Sequence, residues 1–151
     1  MYHLKSVDDS ILGHLSWDNE INEWNSEIKL LDGSVFSFSI SPQDYSIPLE
    51  QQGLDEIRKC IQWLKLNELE LRNKVSDALF DWWYGTWFDE EIDTVKTKQG
   101  FAQTISLEGV NIYEDLQAHV YYNDGDIIGG HSIELTIDSD GNIIDTPHIA
   151  G

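Results

Sequence analysis

The sequence predicts an α+β domain: an antiparallel β-sheet, made of an N-terminal three-strand meander plus C-terminal strands, with two to three helices packed on one face. Three observations predict it. Apolar and polar side chains alternate near both ends of the chain, as in half-buried strands. In the middle the apolar residues recur at spacings of three, four or seven, the period of a helix with one buried face. The order of strands, then helices, then strands segregates the helices to one side of an antiparallel sheet. A chain of 151 residues fits one domain spanning 1–151. It can bury on the order of two-thirds of the surface its unfolded form exposes.

The N-terminal strands come first. Residues 11–17 read I-L-G-H-L-S-W, and Asp18-Asn19 offers a turn. Residues 22–31 alternate around Trp24, Ile28 and Leu30. Asp32-Gly33 is the strongest hairpin signal in the chain. Residues 34–40 then read S-V-F-S-F-S-I, with Phe36, Phe38 and Ile40 in phase and Val35 out of phase. Ser41-Pro42 ends the meander, and the stretch to Gly53 reads as loop.

The helical region carries a stripe of Ile57, Ile61, Leu64, Leu71, Val75, Ala78 and Trp82. Asn67 followed by Glu70 resembles a capping box, which divides the region into two helices near Leu66. Gly85, after Trp82-Trp83-Tyr84, reads as the C-cap of the second. A third, short helix over 97–105 carries Phe101, Ala102 and Ile105 and is weakened by Gly100. Strands then follow over 107–113, 116–122, 132–137 and 142–144. Glu114-Asp115, Asn123-Asp124-Gly125-Asp126 and Asp140-Gly141 supply the turns between them.

Charge is the outlying property. Twenty-eight Asp and Glu against nine Lys and Arg give a formal net charge of −19. Phosphates are held by Lys and Arg, so this balance argues against nucleic acid as a partner, and equally against anionic membrane surfaces. The distribution sharpens the point. No Lys or Arg follows Lys98, whereas residues 99–151 hold nine carboxylates. The basic residues concentrate at Arg58, Lys59, Lys65, Arg72 and Lys74. Acidity also serves plain solubility, so the asymmetry suggests a basic partner without naming one. Residues 1–10 lack a signal-peptide pattern, no apolar run is long enough for a membrane span, and a lone Cys60 fits a reducing compartment. A cytoplasmic location is the expectation.

Candidate chemistry is sparse. Asp138-Ser139-Asp140-Gly141-Asn142 invites a calcium loop, but with Gly141 at the sixth position the loop would start at Thr136 and end at Pro147, where acids are needed. A hairpin turn accounts for the same residues. His119, His131 and His148 lie near Asp124, Asp126 and Asp145, without the spacing of a metal motif. Asp126, His131 and Ser132 are the residue types of a hydrolase triad, yet adjacent His and Ser on a strand point to opposite faces. Gly129-Gly130 precedes a strand rather than the helix a phosphate cradle requires. Trp82, Trp83, Tyr84, Trp87 and Phe88 form the densest aromatic cluster. Trp82 continues the core stripe, and any Trp left exposed beside Asp81, Asp89, Glu90 and Glu91 would suit a protein partner. Cys60 reads as a buried inert thiol.

Several of these residues also carry a resemblance. Tyr122-x-Asp124-Gly125-Asp126-x-x-x-Gly130-His131-Ser132-Ile133, Asp138 to Gly141, and Asp145-x-x-His148-Ile149-Ala150-Gly151 resemble the C-terminal D-G-D…G-H-S-I…D-x-x-I-A-G pattern of a bacterial domain-of-unknown-function family. Trp83-Tyr84-x-x-Trp87-x-x-Glu90-Glu91, Phe101 and Leu107 resemble its helical middle, so the likeness spans about residues 66–151 and extends more loosely to the meander. Gly129 departs from it, standing where an aromatic residue precedes G-H-S-I. The resemblance implies a link to polymorphic toxin systems and an immunity role, and brings no catalytic residues with it. The expectation is therefore an acidic, non-enzymatic binding protein that neutralises a basic toxin domain such as a nuclease, with no cofactor and no metal. Its contact surface would include Trp83, Trp87, Asp89, Glu90, Glu91, Asp124, Asp126 and His131. The alternatives are a small enzyme or metal-binding protein using Asp126, His131 and His148, or a housekeeping interaction module.

Overall fold

The computed structural model of the chain describes residues 6–42, 44 and 47–151. Eight strands form one sheet in sequence order: β1 (Ser6–Asp9), β2 (Gly13–Asp18), β3 (Glu23–Lys29), β4 (Val35–Ile40), β5 (Ser106–Ile112), β6 (Ala118–Asn123), β7 (Ser132–Ile137) and β8 (Ile143–Ala150). Every neighbouring pair is antiparallel except β4 and β5, which run parallel. A parallel pair cannot be closed by a tight turn. The connection between them holds a short 3-10 turn (Leu49–Gln51) and helices α1 (Leu54–Thr86) and α2 (Lys98–Thr104). The architecture is the expected α+β arrangement, with the helices against one face.

The alternation read from the sequence is what builds the core. Trp24 pairs with Ile40, and Ile28 with Phe36, across β3 and β4. Val110, Ile112, Val120, Tyr122, Ile133, Leu135 and Ile137 continue the same face through β5 to β7, and all are buried. At about 25 cal/mol per Å² of apolar surface, such a face outweighs every polar contact in the molecule. The Asp32-Gly33 hairpin forms as expected: Ser34 donates its backbone N–H to Asp32 Oδ1 (2.8 Å), and Gly33 takes φ 92°.

β1 has no counterpart among the expected strands. Its end is fixed by Asp9, whose Oδ1 accepts the N–H groups of Ile11 and Leu12 (both 2.9 Å) while Arg58 of α1 reaches Oδ2 at 2.6 Å. The strand expected over 116–122 starts at Ala118, because Leu116 occupies a turn at φ 59°. The last strand is far longer than 142–144. It passes through Pro147, which an edge strand tolerates because one side of it makes no ladder bonds.

α1 runs through the expected division, but Asn67 breaks helical geometry (φ −125°, ψ 17°). No capping box forms there. Asn67 Nδ2 instead donates to the Trp63 carbonyl (2.9 Å), satisfying an acceptor that the kink frees. Gly85 is not the C-cap; the helix runs on to Thr86 and Trp87 caps it. The buried stripe also departs from expectation after Val75, continuing through Leu79, Phe80 and Trp83, while Ala78 and Trp82 face solvent. A step of three or of four both satisfy a 3.6 period. The larger apolar surface of Leu79 and Phe80 decides between them. α2 lies within the expected 97–105 span, its first turn capped by the Thr97 side chain accepting the Gly100 N–H.

Candidate partner-binding surfaces

The aromatic cluster at the end of α1 divides into inside and outside. Trp83 is fully buried. Its ring packs on Phe101 (5.7 Å) and Phe88 (5.8 Å), and its Nε1–H donates to the Ile127 carbonyl at 2.8 Å. The expectation that Trp83 contacts a partner is therefore corrected: it locks α1 to the loop between β6 and β7. Trp82 (42% exposed), Tyr84 (43%) and Trp87 (39%) remain outside. The Trp87 ring lies edge-on to His131 (5.9 Å), beside Gly129, the position at which the resemblance expects an aromatic residue. The turn after α1 carries Asp89, Glu90 and Glu91, all exposed. Asp89 Oδ1 accepts the N–H of Glu91 (2.9 Å), so this acid serves the turn as well as the surface.

The loop from Asp124 to His131 is organised from within. Asp124 is 2% exposed. Its Oδ1 accepts the N–H of Asp126, and its Oδ2 accepts those of Ile128 and Gly130, each at 2.9 Å. A carboxylate holding three backbone donors is structural, so the expected partner contact at Asp124 is also corrected. Gly125 takes φ 61°, and a Cβ there would meet the Thr104 carbonyl oxygen at 2.6 Å. Asp126 is exposed at φ 65°. His131 Nδ1 lies 2.6 Å from the Ile128 carbonyl, and the Ser132 hydroxyl donates to Glu134 (3.2 Å), so these two side chains serve different partners.

The three C-terminal histidines fall in two places. His131 sits against Trp87, whereas His119 and His148 line a shallow depression of about 120 Å³ on the sheet, with Tyr121, Glu134, Thr136 and Asp145. Among the described residues no three His, Cys, Asp or Glu side chains gather as a metal shell. His119 is held between Asp115 (Nε2 to Oδ2, 3.0 Å) and Thr136 (Nδ1 to Oγ1, 3.4 Å). Asp138 spends its Oδ1 on the N–H groups of Asp140 and Asn142 (2.9 Å each), which is the hairpin turn expected in place of a calcium loop. The Cys60 thiol is buried and pushed up to about 12 by burial, so it stays protonated and unreactive.

Sequence reading missed the second surface, the face of the sheet turned away from the helices. Two rows of side chains cross it. One runs Ser16, Asn25, Ser39, Asn111, His119, Thr136 and Asp145. The other runs Glu27, Ser37, Gly109, Tyr121, Glu134 and His148. Every member is polar or glycine. The Ser39 hydroxyl donates to Asn111 Oδ1, and Asn111 Nδ2 donates to the hydroxyls of Tyr113 and Tyr121 (3.3 Å each). Burial together with the hydrogen bond to Tyr113 pushes the Tyr121 phenol up to about 12. Where β3, β4 and β5 meet, small side chains leave a trough of about 530 Å³ lined by Glu23, Asn25, Glu27, Ser37, Ser39 and Asn111, among others. The out-of-phase residues of each strand were the available signal: they are the same Ser, Asn, Gly and His that the apolar reading passed over.

Charge is segregated between the two sides. On the helix side five cations are paired with acids: Arg58 with Asp9 and Asp55, Lys59 with Asp140, Arg72 with Glu68, Lys74 with Glu70, and Lys98 with Asp77. The open face presents Asp8, Asp18, Glu23, Glu27, Glu134 and Asp145, with Lys29 at the end of β3. No helix among the described residues is long and apolar enough to cross a membrane.

A sequence model of a family described as "Uncharacterized protein conserved in bacteria (DUF2262)" matches residues 9–147. No curated protein and no solved structure matches the chain.

Proposed function

The chain belongs to this bacterial family, DUF2262, and from that membership and its surface chemistry we propose that it is an acidic protein-binding module of immunity type, which neutralises a basic toxin domain, such as a nuclease, by direct association. The observation that carries the reading is the segregation of charge. In a chain of net charge −19, five cations are held in ion pairs on the helix side, while the open sheet face presents Asp8, Asp18, Glu23, Glu27, Glu134 and Asp145 against Lys29, and Glu90, Glu91 and Asp126 stand exposed after α1 and in the β6–β7 loop. Carboxylates placed where phosphates would sit steer a basic partner and block its cleft. Exposed Trp82 and Trp87 supply the kind of rigid apolar anchor that interface centres use. The reading places the protein in the cytoplasm, where a single thiol stays reduced.

The test is co-purification with proteins encoded beside it, followed by a salt titration of the affinity. Binding to a basic neighbour should weaken at least tenfold between about 0.05 M and 0.5 M NaCl, because screening shortens the reach of surface charge. Indifference to salt, or no binding by any neighbour, sinks the proposal.

A further inference from the structure

We propose that the trough across β3, β4 and β5 is the seat of an extended, arginine-bearing segment of the partner. This deepens the binding reading above and rests on it. The floor is low because Ser37, Ser39 and Gly109 lie side by side, and Gly109 adds no side chain to it. Glu23 and Glu27 on β3 form one wall, with the Ser41 hydroxyl donating to Glu23 Oε2 at 2.9 Å and steadying it. Asn111 stands opposite, its amide fixed by Ser39, Tyr113 and Tyr121. Carboxylates paired with amide oxygens match the planar, five-donor guanidinium better than a point ammonium. An anionic ligand would be repelled by Glu23 and Glu27. A sugar ring or base would find little platform, since Phe38 in the lining is 1% exposed and the His14 ring is held at 2.6 Å by Asp8. About 530 Å³ is room for side chains of a segment rather than for a lone ion. The smaller depression of Glu134, Asp145 and His148 extends the same acidic face for the segment's next cation.

The experiment is an NMR titration of the whole chain with a short peptide of alternating arginine and serine, alongside lysine and glutamate analogues. Amide shifts should map to Ser37, Ser39, Gly109 and Asn111. The double variant Glu23→Gln/Glu27→Gln should bind the arginine peptide at least about tenfold more weakly, while Glu56→Gln, exposed on α1 and away from the trough, binds it as the parent does. Shifts centred on Trp87 and residues 89–93, or an undiminished double variant, would remove the trough and leave the acidic-binding reading standing. Equal affinity for the lysine peptide would remove the arginine assignment. Loss of binding to every basic peptide and every basic partner would remove both. Should the double variant fail to fold, the shift map on the parent chain decides alone.

Discussion

The residue scale is where inward and outward carboxylates part company. Asp124 and Asp126 look equivalent in a D-G-D turn, yet Asp124 gathers three backbone donors in the interior and Asp126 faces water. Asp124→Ala should therefore lose about 3 kcal/mol of stability, since a charged acceptor leaves three donors unmet. Asp126→Ala should stay within about 0.5 kcal/mol. Urea unfolding of both variants checks the pair. A second buried group sits between sheet and helix: the Tyr122 hydroxyl donates to Glu68 Oε2 (2.8 Å), and Arg72 lies 3.3 Å from the same oxygen. Burial, then the Glu68 charge, raises the Tyr122 phenol well above its usual value, so it remains a donor throughout the useful pH range. Tyr122→Phe should cost about 1–2 kcal/mol, because Glu68 would keep its burial and lose a partner. The Cys60 thiol should react with Ellman's reagent at the global unfolding rate and no faster. The sequence marked the Asp124 turn correctly, but turn chemistry alone does not say which way a carboxylate points.

At the scale of elements, the reading was good wherever periodicity spoke and poor where size or geometry had to arbitrate. The hairpin at Asp32-Gly33 and the short α2 were legible because turn residues and caps act locally, whereas the kink of α1 falls at the expected place although the capping box that suggested it does not form. Trp82 and Trp83 exchanged roles because adjacent residues both fit a helical period, and only the packed core distinguishes them. β8 runs well past the expected 142–144 and through Pro147. The register of β7 with β8 gives the reason it is tolerated: Glu134 faces His148 and Thr136 faces Asp145, so two residues bulge opposite Leu135. The β7–β8 turn is also where α1 meets the sheet. Gly141 has φ 83°, and a Cβ there would lie 2.1 Å from the Trp63 ring. Gly141→Ala should thus destabilise by about 2 kcal/mol or more, through both the left-handed backbone and the displaced indole. Thermal unfolding should register it, with Trp63 fluorescence altered in the native state.

For the whole molecule, charge governs the response to solution conditions. At neutral pH a net charge of −19 repels itself, so stability should rise as NaCl is added from low ionic strength. In acid the opposite limb appears. Burial raises the Asp9 carboxyl, but the Arg58 hydrogen bond and the N–H groups of Leu12 and Ile11 outweigh it and hold the group below its ordinary 3.8. A depressed carboxyl stabilises fully above its unfolded value, and that stability is lost as pH falls through the folded value. Arg58→Gln should therefore move acid unfolding to higher pH, as circular dichroism can follow. The charge imbalance was legible in the sequence, and so was its concentration after Lys98. The open polar face was not, because it exists only once the rows from β2 to β8 lie side by side. That same sheet has one seam unlike the rest: β4 against β5, neighbours in space with residues 41–105 between them. All other strand pairings join segments adjacent along the chain. Each half of the sheet can thus zip up quickly by local hairpins, while closing the seam must wait for both helices to settle. Loop-closure entropy makes that step the slow one, so truncating Phe38 or Val110 at the seam should retard refolding far more than a comparable truncation inside either hairpin group.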